Sequence, residues 1–185
     1  MQLNTLGVVH EFLRRSVKEG SVCIDATAGK GRDTALLCKL AGSAGRVLAF
    51  DIQEDAVRQT RELLDRESLT AEVHLDSHAH LERYVGPESV DCVVFNLGRL
   101  PGGDPKVFTV ADSTLTAIDA GLRVLKPGGV MAIALYYGKE NGYDEKNAVL
   151  EHLRGLDDRT YTVLIADWAN RRGEPPMPIF VWKEH

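Results

Sequence analysis

The fold of this chain is decided by one stretch, Ser21-Val22-Cys23-Ile24-Asp25-Ala26-Thr27-Ala28-Gly29-Lys30-Gly31-Arg32-Asp33-Thr34. Its first six residues, Ser21 to Ala26, form an apolar run of the length of a buried strand. Gly29 and Gly31 then interrupt any regular element, because glycine tolerates backbone conformations that other residues avoid. The apolar-rich segment from Thr34 to Leu40 has helical spacing. The stretch therefore predicts a strand, a glycine loop and a helix.

The same alternation of strand-like and helix-like segments continues along the whole chain. It is typical of an α/β domain with a largely parallel sheet. The predicted strands are Ser21–Ala26, Arg46–Phe50, Ala71–Leu75, Ser89–Phe95, Val130–Tyr136, Tyr161–Ala166 and Ile179–Trp182. The predicted helices are Leu6 to about Gly20, Thr34–Leu40, Gln53–Glu67, Val110–Leu125 and Asp144–Leu153. Since no helix separates the last two strands, they should pair antiparallel. The predicted fold class is α/β, with a mostly parallel seven-stranded sheet, a terminal antiparallel hairpin and helices on both faces.

Two glycine-rich segments are predicted to be irregular. Asn96–Asp104 follows the fourth strand, and Lys126–Gly129 forms a turn between the fourth helix and the fifth strand. Irregular loops that follow strands commonly carry function. We therefore expect the first of these segments to take part in the reaction.

Composition bounds the class of protein. The chain has 185 residues, 44% apolar and 26% charged, which fits a single soluble domain over residues 1–185. No apolar run approaches the about 18 residues of a membrane span, and the first twenty residues lack the apolar region of a secretory signal. The three cysteines, Cys23, Cys38 and Cys92, show no metal or redox spacing. We expect a cytoplasmic protein with no membrane contact and no metal site.

Charge and assembly are less informative. The net charge of −5 excludes a general polycation and leaves room for a local basic patch. A homodimer is compatible with the sequence.

A nucleoside-containing cofactor is predicted from the first two strands. Ligands of such sheets bind beyond the carboxyl ends of the strands. There, Gly29 and Gly31 allow a ligand to approach the backbone closely, and Asp51, at the end of the second strand, can accept both hydroxyls of a ribose. The dinucleotide fingerprint needs a third glycine where this chain has Thr34. Asp25 also suits the cationic amino-acid end of S-adenosylmethionine better than a pyrophosphate, so we favour S-adenosylmethionine over NAD.

These motifs also carry a resemblance to a known family, which extends over essentially the whole chain. They are Asp25–Thr34, Phe50–Gln53, Asp76–His78 and, most specific of all, Phe95–Asp104. The chain resembles the small class I S-adenosylmethionine-dependent methyltransferases known as ribosomal RNA methylases. The resemblance implies a Rossmann-like methyltransferase fold. It also implies N-methylation of 5-aminomethyl-2-thiouridine, the wobble uridine in the anticodon loop of tRNA. The chain departs from the family at Lys30, where asparagine is usual.

The resemblance implies roles for particular residues at the cofactor. Those expected at the methionine end are Asp25, Gly29, Lys30 and Gly31. Asp51 and Gln53 are expected at the ribose and the neighbouring adenine edge, and Ser77 and His78 at the adenine. His78 is equally open to a structural role, capping or packing the short helix after the third strand.

Asn96 and Asp104 are the candidate catalytic residues. Methyl transfer to an amine is an in-line displacement, so the amine must arrive neutral, and oxygens that accept its N–H groups can aim its lone pair. Asn96 and the carbonyls of Leu97 and Gly98 are candidates for this, and Asp104 is a candidate proton acceptor. Asp104 is also a common type of turn residue before Pro105.

Three residues are candidates for substrate binding: Arg99, Asn170 and Arg171. RNA needs local cations for its phosphates. The alternatives to the tRNA substrate are ribosomal RNA or a small-molecule amine with the same chemistry, and a cofactor-binding module without turnover.

Overall fold

The computed structural model of this protein describes residues 3–98, 111–138 and 142–185. The helices are α1 (Thr5–Ser16), α2 (Arg32–Ala41), α3 (Glu54–Arg66), a 3₁₀ helix (His78–Arg83), α4 (Ala111–Val124) and α5 (Gly142–Arg154). The strands are β1 (Val22–Asp25), β2 (Arg46–Asp51), β3 (Glu72–Leu75), β4 (Val90–Leu97), β5 (Leu125–Leu135), β6 (Tyr161–Ile165) and β7 (Met177–Lys183).

The seven strands form one sheet in the order β3-β2-β1-β4-β5-β7-β6. Strands β1 to β5 pair in parallel, and β7 pairs antiparallel with both β5 and β6. The predicted fold class is therefore confirmed, including the antiparallel terminal hairpin. The sequence did not indicate that β7 inserts between β5 and β6.

Helices cover both faces of the sheet, and the central strands are buried on both sides. On β4, Val93 and Phe95 pack into the cluster with α4 and α5, while Cys92 and Val94 pack into the cluster with α1 and α2. All four are at most 1% exposed. Alternate residues of a strand point to opposite faces, so this strand needs a continuous apolar run.

Most strand boundaries differ from the prediction by one or two residues, and the differences at β4 and β5 have a clear cause in strand pairing. β4 continues through Asn96 and Leu97, because these residues keep pairing with β5. β5 begins at Leu125, which pairs with Val90 before the register shifts at the Lys126–Gly129 segment. The backbone on both sides of that turn pairs with β4, so the turn lies within the strand.

No helix in the described ranges is both long and apolar enough to span a bilayer. The three cysteines are buried and free.

Candidate functional site

A cavity of about 410 Å³ lies at the carboxyl ends of the central strands. This is the edge at which parallel α/β sheets bind ligands, and the volume falls within the usual range for small-molecule sites. Seven of the residues singled out in the sequence line it: Gly29, Lys30, Asp51, Gln53, Ser77, His78 and Asn96.

Asp51 holds two of the loops around the cavity in place. Its carboxylate oxygens accept hydrogen bonds from the backbone N–H groups of Gly29 and Gln53, each at 2.9 Å. The side chain is only half-buried, and each carboxylate oxygen has room for a second donor. Asp51 can therefore accept hydrogen bonds from a ligand while it shapes the cavity.

Ile52, the next residue, was not singled out in the sequence. It lines the cavity and is 59% exposed, which is unusual for a large apolar side chain. Ligand sites combine such apolar surfaces with a few polar groups. The sequence feature that could have identified Ile52 is its position directly after Asp51, the acidic residue that ends β2.

Asp25 and Gly31, both predicted to contact the cofactor, are not among the residues that line the cavity. Asp25 is fully buried behind the glycine loop, where its carboxyl group accepts hydrogen bonds from the Thr34 hydroxyl at 2.6 Å and from Thr27 N–H at 3.2 Å. Burial, reinforced by the nearby Asp33 carboxylate, raises the pKa of Asp25 to about 7.

Gly31 packs the glycine loop closely against α3. It precedes α2 with a φ of +77°, and a Cβ there would lie 2.9 Å from Thr60 Cα in α3. Its position requires glycine for backbone conformation and for close packing against α3.

A polar cluster from three elements meets beside the cavity. Asn96, near the end of β4, donates a hydrogen bond from Nδ2 to the Asp33 carboxylate. Asp33, in the first turn of α2, is also bonded to His10 Nε2 of α1 at 2.5 Å. The backbone N–H of Asn96 donates to the Thr27 hydroxyl at 2.6 Å. Asn96, Asp33, His10 and Thr27 all line the cavity, so one network connects its wall to α1 and α2.

Two buried atoms of cavity-lining residues, Asn96 Oδ1 and His78 Nε2, have no hydrogen-bond partner within the described part of the chain. An unsatisfied buried polar atom costs about 1–3 kcal/mol, so both are natural contacts for a ligand. Burial lowers the pKa of His78, while a hydrogen bond with the Ala26 backbone acts in the opposite direction.

The backbone after Asn96 narrows the list of possible amine acceptors. The Leu97 carbonyl already accepts a hydrogen bond from Tyr136 N–H at 2.9 Å, as part of the sheet. At Gly98, where φ is +138°, a Cβ would lie 2.9 Å from Tyr136 Cβ, so only glycine lets the chain pass. Asn96 Oδ1 is thus better placed than the Leu97 carbonyl to accept a hydrogen bond from an amine.

Ser77 caps the 3₁₀ helix, because its hydroxyl accepts the Ala79 N–H at 3.2 Å. The hydroxyl therefore has a structural partner as well as a place in the cavity wall.

The loop between β6 and β7 lies against the start of α1. The Arg171 guanidinium stacks on the Trp168 ring at 3.9 Å and donates to the Leu3 carbonyl. Trp168 Nε1 in turn lies 3.2 Å from the Thr5 hydroxyl. Asn170 is exposed on the same loop. Neither Asn170 nor Arg171 lines the cavity, and Arg171 contacts the segment that leads into α1, the helix whose Leu6 and His10 line it.

Two predicted site residues, Arg99 and Asp104, lie outside the described residues. Among the residues that are described, no three His, Cys, Asp or Glu side chains cluster as metal ligands would.

Comparison with known families bears on what this site does. The model of the family described as "Putative rRNA methylase" matches residues 47–182, which is most of the chain. The chain belongs to this family.

This methylase is similar to a curated plant enzyme, the chloroplastic tRNA (mnm(5)s(2)U34)-methyltransferase of Arabidopsis thaliana. The two are 35% identical over 173 residues, which make up 87% of this chain and 60% of the plant protein. The chain thus spans about 60% of the length of that relative.

Solved structures of similar size also match this methylase. A Clostridium thermocellum protein described as "putative rRNA-methylase" has a TM-score of 0.96 at 36% identity, and 99% of each chain is covered. A Streptococcus mutans protein described as "a putative methyltransferase", solved in complex with S-adenosylhomocysteine, has a TM-score of 0.89 at 37% identity, again with 99% of each chain covered. These findings confirm the predicted class, an S-adenosylmethionine-dependent methyltransferase, and S-adenosylmethionine as its cofactor.

The cavity suits that cofactor chemically. The exposed Ile52 offers apolar surface for a base, and the half-buried Asp51 offers acceptors for hydroxyls. His78 Nε2, which has no partner among the described residues, offers a polar contact. The polar network around Asn96 lies on the same cavity.

Proposed function

We propose that this methyltransferase acts on RNA and N-methylates the aminomethyl group of 5-aminomethyl-2-thiouridine at the wobble position of tRNA. The observation that carries the proposal is Asn96 Oδ1, which is buried in the wall of the cavity and has no hydrogen-bond partner among the described residues, while Nδ2 of the same amide is held by Asp33. The similarity to a plant tRNA wobble methyltransferase supports tRNA as the substrate.

The residues that line the cavity divide into cofactor contacts and reaction contacts. In this proposal Asp51 and Gln53 bind the ribose and the adenine edge, while His78 and Ser77 border the adenine. Bound S-adenosylmethionine supplies an electrophilic methyl group on a sulfonium. Gly29 and the exposed Lys30 lie at the methionine end, and Asp25 acts indirectly by holding the glycine loop.

Asn96 orients the acceptor amine. A neutral primary amine has two N–H donors and one lone pair, and an acceptor that binds one N–H restricts where the lone pair points. Asn96 Oδ1 is that acceptor, because Nδ2 is anchored on Asp33 and cannot compete for the same position. Holding the nucleophile in a reactive orientation is where most of the rate arises in such a displacement.

The reaction also releases a proton. As the amine nitrogen would take the methyl group, the bond from that carbon to the sulfonium sulfur would break and leave the thioether S-adenosylhomocysteine. The nitrogen would then be a secondary ammonium, which must lose one proton to give the neutral product. Asp33 lies next to Asn96 and is bonded to His10, whose side chain is 24% exposed. We propose that these two residues carry the proton from the cavity towards solvent, with Asp104 as the alternative acceptor.

The first alternative keeps the chemistry and changes the substrate to ribosomal RNA or a small amine, and the family description favours ribosomal RNA. The second alternative is a cofactor-binding module without turnover. A module that only binds the cofactor does not need the hydrogen bonds that orient Asn96. Their presence therefore favours an enzyme. We further propose that the enzyme works in the cytoplasm, where its buried thiols stay reduced.

The proposal is tested with labelled S-adenosylmethionine and tRNA from cells that lack the wobble methylation. The tRNA is digested, and its nucleosides are identified by mass. We expect conversion of 5-aminomethyl-2-thiouridine to its N-methyl form, with no methylation of ribosomal RNA. Methylation of ribosomal RNA alone would favour the first alternative. Binding of S-adenosylhomocysteine without methylation of any RNA or amine would favour the second.

A further inference from the structure

A second depression, of about 630 Å³, lies between α1, α2 and α3 beside the cavity. We call it the basic groove and define it by six residues: His10, Arg14, Lys30, Arg32, Lys39 and Arg66. Its floor includes the half-buried Leu36 and Leu63.

Helical spacing explains why these cations converge. Residues three, four or seven positions apart share one face of a helix. His10 and Arg14 follow this spacing on α1, Arg32 and Lys39 on α2, and Arg66 lies one turn beyond Glu62 on α3. The three faces meet at the groove, and so it is basic although the whole chain carries a charge of −5.

The two carboxylates of the groove are already paired. Glu67 binds Lys39 at 2.6 Å, and Glu62 binds Arg58 at 2.7 Å. By contrast, Arg14, Arg32 and Arg66 form no ion pair within the part of the chain that the structure describes. Lys30, also exposed, has the Asp55 carboxylate as a charged neighbour. The groove therefore keeps an excess of uncompensated positive charge.

The groove is continuous with the cavity. His10, Lys30 and Arg32 line both, so a ligand can extend from one into the other without leaving the surface. A polymer with one nucleotide in the cavity would place its neighbouring units along α2 and α3.

We propose that the basic groove binds the phosphodiester backbone of the RNA substrate next to the methylated nucleotide. The inference rests on the proposed function, since it takes the ligand to be RNA. Arginine guanidinium groups bind phosphate oxygens in a bidentate manner, and the groove presents three that lack ion pairs. Arg32 and Lys39 are seven residues apart, about 10 Å along a helix, which is the axial length of about three nucleotides at 3.4 Å each.

The test measures RNA affinity for charge reversals inside and outside the groove. The variants are Arg14→Glu and Arg66→Glu, and the matched control is Arg15→Glu. Arg15 follows Arg14 on α1, is 79% exposed and pairs with Glu11 outside the groove. All are assayed with wild type for tRNA binding between 50 and 200 mM salt, for binding of S-adenosylhomocysteine, and for methyl transfer.

We expect each groove variant to weaken tRNA binding about tenfold and to flatten the dependence of log Kd on log salt by about 0.7 per lost phosphate contact. Affinity for S-adenosylhomocysteine should stay within about twofold, and the loss in methylation should appear in KM rather than kcat, since the phosphate contacts are made in substrate binding as well as in the reaction. The control should change RNA affinity less than about twofold.

The groove proposal would be overturned if Arg14→Glu and Arg66→Glu changed tRNA affinity and its salt dependence no more than Arg15→Glu does. This holds even if the protein methylates tRNA. A wild-type protein that binds neither tRNA nor a ribosomal RNA fragment would overturn it as well. The groove variants could instead weaken binding of the ribosomal fragment while tRNA is neither bound nor methylated. That result would support the groove proposal and contradict the wobble uridine of tRNA as the substrate.

Discussion

Asn96 and Asp33 are 63 positions apart in the chain and are joined side chain to side chain, with Asn96 Nδ2 donating to the Asp33 carboxylate. The bond fixes the orientation of the Asn96 amide and leaves Oδ1 buried without a partner among the described residues. The acceptor that we assign to the substrate amine is therefore oriented by a residue on another element.

Replacing Asn96 should slow methyl transfer and leave cofactor binding nearly unchanged. We expect Asn96→Ala to lower kcat by about a hundredfold, because the amine loses the group that orients it. S-adenosylhomocysteine affinity, measured by calorimetry, should change less than about threefold. Retention of full kcat would show that Asn96 has no part in the reaction.

Asp33 and Asn96 should act as a unit. Asp33→Asn keeps the shape of the side chain but removes the charged acceptor, so we expect kcat to fall about tenfold. In a double-mutant cycle with Asn96→Ala, the two losses should not add, with a coupling of about 1–2 kcal/mol. Strict additivity of the two effects would mean that the hydrogen bond is not used in catalysis.

Asp51 should determine cofactor affinity. We expect Asp51→Asn to raise the Kd for S-adenosylhomocysteine about ten- to hundredfold, since a charged acceptor contributes about 1.5–3 kcal/mol. The matched control is Asp55→Asn, in the first turn of α3 and outside the cavity wall. It should leave the Kd within about twofold, and equal effects of the two changes would argue against the ribose role.

Asp25 should make stability depend on pH. Its pKa is raised from 3.8 to about 7 by burial, so the native state holds a proton that the unfolded chain has already released. Stability from this group is complete below about pH 4 and is lost as pH rises to about 7, at up to about 1.4 kcal/mol per pH unit. Asp25→Asn cannot ionise. Urea unfolding at pH 5, 6 and 7 should show the variant gaining stability relative to wild type as pH rises, and a constant difference would contradict the raised pKa.

Gly31 should be required for packing as well as for backbone conformation. Gly31 and Gly128 have nearly equal φ values of +77° and +79°. A Cβ would lie 2.9 Å from Thr60 Cα at Gly31, but would meet no described atom within 4 Å at Gly128. We expect Gly128→Ala to lower the free energy of unfolding by about 1 kcal/mol and Gly31→Ala by about 2–4 kcal/mol. Similar losses in both would indicate that backbone strain alone explains the glycine.

Sequence periodicity predicted every strand, because alternating elements of an α/β domain are local patterns. It placed the end of β4 too early, since Asn96 and Leu97 look like loop residues until their pairing with β5 is known. Likewise, the Lys126–Gly129 turn reads as a boundary, and only pairing of Leu125 with Val90 extends β5 across it.

Of the residues that line the cavity, Gly29, Asp51 and Asn96 were predicted because each comes after a predicted strand. Asp33 stood within the quoted glycine-loop motif without a role. His10 had no signal at all, since it is one polar residue on an amphipathic helix, and only the packing of α1 against α2 brings it to Asp33. Asp25 was expected in the cavity, but its side chain points behind the loop.

The sequence by itself determined the α/β class, the order of elements, the glycine loop and the acid at the end of β2, because all of these are written in neighbouring residues. Tertiary structure alone decided the insertion of β7 between β5 and β6, the contacts of Asp33 with Asn96 and His10, and the convergence of cations in the basic groove. Those features join residues far apart in the chain. They depend on how the helices and strands pack, which local patterns do not specify.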